Sequence, residues 1–105
     1  RWQYLWPRIA EYFGMEAGGV QQIDLELMMA DKEPLWDEVV REHGLLPTPF
    51  SEAANWSFAN YAFAPTWDIM LDNTKARRHG FQEFVDSEDM FIRIFDSFRR
   101  QRFIP

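Results

Sequence analysis

Apolar side chains return every three or four positions along most of this chain, the period of a helix buried on one side. Trp2, Leu5, Trp6, Ile9, Ala10 and Phe13 predict a helix over about 2–13 that Gly14 stops. Pro7 lacks an N–H and crowds the preceding turn, so this helix either kinks there or begins properly near Trp6. Gly18 to Ile23 reads as a turn and a short extended piece. Asp24 suits the cap of a brief helix carrying Leu25, Met28 and Met29, and Pro34 opens another through His43. Its inner stripe is Leu35, Trp36, Val39 and Val40, and Gly44 ends it. Pro47 and Pro49 stiffen the connection that follows.

Ser51 is expected to cap a helix through about Phe63. Ala54, Phe58 and Tyr61 or Ala62 lie along one side of it; Trp56, Ala59, Asn60 and Phe63 lie along another. With apolar character around so much of the cylinder, the helix is either central and buried or lines a cleft shared with a second domain. Trp67-Asp68-Ile69-Met70 and Glu83-Phe84-Val85 are candidate strands. Between them Asp72 opens a short helix, Gly80 closes it and Phe81 anchors the exit in a core. Ser87 is the expected cap of the last helix, whose Met90, Phe91, Ile94, Phe95 and Phe98 make one face. Arg99, Arg100 and Arg102 suit the negative end of its dipole. The predicted fold is mainly α with minor β (α+β), one compact domain over 1–105.

Composition adds a surplus of aromatics: ten Phe, five Trp and three Tyr in 105 residues. So small a core cannot hide them all, and some apolar surface is expected to face a partner. The net charge of −6 repels phosphate backbones, which argues against nucleic acid. The absence of cysteine excludes disulfides and thiolate metal sites and fits a reducing compartment, with the cytoplasm as the default. No apolar run reaches the roughly 20 residues of a membrane helix, so no membrane is expected. The chain starts at Arg1, without a Met and inside a helical pattern, so a fragment or processed product is expected.

Candidate chemistry is sparse. There is no Gly-x-Gly-x-x-Gly, phosphate-binding loop or His-Glu-x-x-His. His43 and His79 sit near predicted helix ends, where capping and dipole pairing outweigh catalysis or metal binding. The acidic pairs Asp24/Glu26, Asp31/Glu33 and Asp37/Glu38 and the Asp86/Glu88/Asp89 cluster fall at helix starts or exposed faces. Met28-Met29 reads as core filling before soft binding surface.

Five ordered pieces carry a resemblance. They are Trp2 with Leu5 to Gly14, Lys32 to Gly44 with its Trp36-Asp37, Asn55 to Phe58, Lys75 to Phe81, and the terminal Phe103-Ile104-Pro105. Together they resemble the C-terminal part of extended short-chain dehydrogenase/reductases of the NAD-dependent epimerase/dehydratase type, within the progesterone 5β-reductase and iridoid synthase-like group. The resemblance implies the helical substrate domain of an enzyme whose N-terminal Rossmann domain, absent here, binds NADP or NAD. It implies hydride transfer to an enone or related small-molecule carbonyl, helped by a Tyr and a Lys of the Rossmann part. Phe58 matches the aromatic position that borders the family's pocket, and Trp56 and Tyr61 are further substrate-binding candidates. Trp56 stands one place early against the family's Trp-Trp-Phe-like stretch, with Ser57 where the second Trp belongs, which alters the pocket's shape. Tyr4, Tyr12 and Tyr61 are followed four residues later by Arg8, Glu16 and Pro65, so no Tyr-x-x-x-Lys occurs and the fragment alone is expected to be inactive and to bind no cofactor. The competing expectation is a stand-alone helical protein-interaction or ligand-binding module without catalysis. In isolation the apolar surface is expected to drive homo-oligomers.

Overall fold

Helix ends in this protein are set by the few side chains that satisfy free backbone groups, and most lie where the residue types suggest. The computed structural model describes all residues, Arg1–Pro105. Seven helices follow in order: α1 Trp2–Tyr12, α2 Leu25–Met29, α3 Glu33–Glu42, α4 Phe50–Ala53, α5 Trp56–Phe63, α6 Thr74–Arg78 and α7 Ser87–Arg100. Asp24 caps α2 by accepting from Leu27 N–H at 3.1 Å. Gly44, at φ 59°, closes α3. There Leu45 N–H reaches back to the Val40 carbonyl at 2.9 Å, the hydrogen bond that marks a left-handed helix stop. The end of α7 has the same geometry without glycine: Arg102 holds φ 59° while Phe103 N–H donates to the Phe98 carbonyl and the two rings meet edge to face at 6.0 Å. Pro7 is accommodated inside a continuous α1, and its missing N–H leaves the Gln3 carbonyl without its usual intrahelical donor.

Four expectations about local elements need correction. The single helix expected over 51–63 is two, because Ala54 is extended (φ −155°, ψ 148°) and the Asn55 side chain accepts from Phe58 N–H at 2.8 Å, starting a new helix. An Asn that bonds its own downstream backbone competes with helix continuation. The cap of α7 is Asp86, which accepts from Glu88 and Asp89 N–H; Ser87 is the first helical residue. Asp72 likewise acts one place outside the helix expected of it, accepting from the Thr74 N–H and hydroxyl, so that α6 starts at Thr74. Finally, the two candidate strands pair with nothing, and the helical architecture carries no sheet.

Packing is pairwise. Tyr12 at the end of α1 and Phe13 just after it meet Phe95 of α7 at 5.4 and 5.2 Å, and the Tyr12 hydroxyl donates to Asp96 at 2.7 Å. Arg99 caps the cluster, its guanidinium 4.4 Å from the Tyr12 ring centre. At the other end Trp2 stacks on Trp6 at 5.5 Å and meets Phe63 edge to face at 4.9 Å, tying α1 to α5. Arg8 joins α1 to α7 through Glu88 at 2.6 Å.

These pairs do not close over a common interior. Leu45, still 8% exposed, is the one buried residue, and Phe81, expected in a core, is 59% exposed. The radius of gyration is 16.8 Å, against about 13 Å for a compact domain of this length. Accessible surface is 9145 Å² for 12.6 kDa, about 2,900 Å² more than the roughly 6,200 Å² of a compact monomer. The chain is therefore more open than the compact unit expected from its composition, because its apolar faces outnumber the mates available within 105 residues.

Candidate functional site

Two apolar surfaces lie on opposite sides of α5, and the start of that helix explains why. Once Asn55 fixes the first turn, successive side chains step about 100° around the axis. Trp56 and Phe58, two residues apart, therefore point in nearly opposite directions, whereas Phe58 and Tyr61, three apart, share a face.

On the first side, Trp56 faces an open groove of about 550 Å³ walled by Leu35, Trp36 and Val39 of α3, Phe50 of α4, and Phe103 and Ile104 of the C-terminal tail. Trp56 and Phe50 rings lie 6.0 Å apart. The groove's geometry is held by two hydrogen bonds: the Trp36 side-chain Nε1 donates to the Thr48 carbonyl at 2.7 Å, and Leu46 N–H donates to the Arg102 carbonyl at 2.8 Å. Trp56 Nε1 is shut off from solvent and finds no acceptor in the chain. An enclosed N–H left unpaired costs about 1–3 kcal/mol.

On the second side, Phe58 and Tyr61 form an adjacent aromatic pair, centroids 6.4 Å apart, 65% and 79% exposed. Of the three residues expected to meet substrate, the structure thus brings Phe58 and Tyr61 together and turns Trp56 away into the groove. Beside the pair, Asn60 makes the connection the sequence did not reveal. Its Oδ1 accepts from Leu25 N–H at 2.7 Å and its Nδ2 donates to Asp24 Oδ1 at 2.9 Å, clamping α5 to the start of α2. One amide inside an otherwise apolar stretch was the available signal, since a half-buried carboxamide needs partners. The Asn60 amide, with Leu27 N–H behind it, holds the Asp24 carboxyl below the usual carboxylate range.

His79 and Tyr12 have hydrogen-bond partners within the fold. His79 Nδ1 donates to the Lys75 carbonyl at 2.8 Å, the helix-end role expected of it. Partial burial, then the bond to Asp96, raises the Tyr12 hydroxyl above its ordinary value. No helix is long and apolar enough to cross a membrane.

No family model matches the chain. Curated relatives do, along its whole length. (S)-8-oxocitronellyl enol synthase of Catharanthus roseus is 35% identical, the corresponding Nepeta cataria enzyme also 35%, and that of Antirrhinum majus 31%. In each case 100% of this chain is matched, and it spans 28% of the relative's length. From end to end the chain is therefore similar to part of these enol synthases, the group to which its five ordered sequence pieces pointed.

Proposed function

We propose that residues 1–105 are the substrate-binding domain of a longer NAD(P)-dependent reductase acting on an enone or related small carbonyl compound. The observation that carries this is the match of the whole chain to part of 8-oxocitronellyl enol synthases, joined to an aromatic pair, Phe58 and Tyr61, that is exposed in this chain. A reductase needs its acceptor held dry and aligned. Two rings on a helix whose first turn is pinned by Asn55 supply a rigid apolar wall for that purpose.

The dinucleotide is assigned to residues outside this chain, which carries no Gly-x-Gly-x-x-Gly. The cofactor and the groups acting on the carbonyl belong to the remainder of the longer protein, which also supplies cover for the exposed apolar surface. Separated from that remainder, the 105 residues bury the same surface by self-association.

The test is made in the longer protein. Phe58→Ala is expected to lower kcat/KM for small α,β-unsaturated carbonyls by about 10-fold, the cost of losing roughly 1.4 kcal/mol of aromatic contact. Consumption of NADH or NADPH at the same kcat/KM in wild type and variant would remove Phe58 from the site.

A further inference from the structure

We propose that residues 67–71 become a β-strand by pairing with an extended segment that lies outside these 105 residues in the same, longer polypeptide. From Pro65 to Asp72 not one backbone N–H or C=O has a backbone partner in the chain. Such a stretch normally appears where the polypeptide is a solvated loop rich in Gly, Ser or Asn. This one instead reads Trp67-Asp68-Ile69-Met70-Leu71-Asp72, with β-prone or large apolar residues at every odd position and an acid at two of the three even ones. That alternation is the pattern of a strand covered on one face.

The whole segment is uncovered: Trp67, Ile69, Met70 and Leu71 are 70%, 70%, 76% and 85% exposed, and Asp68 is tied to Arg1 at 3.3 Å. The segment is also tethered downstream, where Asp72 binds Thr74 at the start of α6. Five residues at this spacing present a row about 16 Å long of unpaired donors and acceptors. An apolar cover without backbone groups of its own would leave that row buried and unpaired, at about 1–3 kcal/mol per group. An extended strand is the occupant that satisfies both the side chains and the backbone.

The source is the longer polypeptide, on which the functional reading above also rests. The relatives are more than three times as long as the matched region, so chain is available. A second copy fits less well. Antiparallel pairing centred on Met70 sets Asp68 across from Asp72, parallel pairing sets each acid beside its own copy, and the net charge of −6 adds repulsion.

Residue-resolved hydrogen exchange of the longer protein tests the assignment. Alternate amides within 67–71 are expected to exchange on the order of 100-fold more slowly than their neighbours, at a rate unchanged by dilution. Exchange at unstructured-chain rates throughout 67–71 would overturn the proposal. So would protection that disappears on dilution, which would assign the partner strand to a second copy. Exchange reports on pairing whether or not the protein reduces a carbonyl, so failure here is distinguishable from failure of the functional reading.

Discussion

Removing the Asn60 carboxamide tests how α5 is held. In Asn60→Ala both clamp bonds are lost, the one to Leu25 N–H at 2.7 Å and the one to Asp24 Oδ1 at 2.9 Å. The first is a half-buried neutral bond worth about 1 kcal/mol. Its loss implies α2 amides that open roughly 5-fold more often, since about 1 kcal/mol is a factor of five in an opening equilibrium. The second bond acts through charge. Asp24 has its folded-state pKa lowered, so it contributes stability that is present above the unfolded value and is lost as pH falls through the folded one. Asn60→Ala is expected to move the Asp24 pKa upward and to flatten that acid-side loss, while the Leu27 bond retains part of the depression. Asn60→Asp should be worse than Ala at neutral pH, because it sets two carboxylates against each other where 2.9 Å now separates amide from acid, and it should recover as one of them is protonated. Carboxyl-carbon NMR titration of Asp24, with exchange rates for Met28 and Met29 amides, reads both effects. An Asp24 titration identical in wild type and Asn60→Ala would refute the clamp.

Two further outcomes follow from local geometry. Arg102 occupies a left-handed conformation at φ 59°, so Arg102→Gly should stabilise the chain by about 1 kcal/mol, and Gly80→Ala at φ 89° should destabilise it by a similar amount. Urea midpoints measure both, and a stabilising Gly80→Ala would contradict the account of these helix ends. Tyr12 titrates above its ordinary range, so its protonated form is the one favoured by folding; the contribution is present below the unfolded value and lost as pH rises through the folded one. Absorbance titration should show a late phenol that Tyr12→Phe removes.

The helical class and most helix ends were legible in the amino-acid order because each depends on a handful of neighbouring residues. Asp24 capping α2, Pro34 opening α3, and Gly14, Gly44 and Gly80 at left-handed stops are decisions made within one turn. The five family pieces were legible for the same reason: they are linear. The break at Ala54 and Asn55 was a near miss, since an Asn inside a helical pattern permits either continuation or a new cap. Side-chain direction was harder. That Phe58 and Tyr61 face outward together while Trp56 turns into the groove depends on where α5 begins, and that start moved by several residues. The Asn60 clamp joins positions 36 residues apart, a distance over which residue types carry no pairing rule. Local hydrogen-bond valence thus decides where helices start and stop, whereas burial is a property of the assembled surfaces. A sequence with this many aromatics reads as a core, and only the folded arrangement shows those faces still open, because the mates that would cover them are not among these residues.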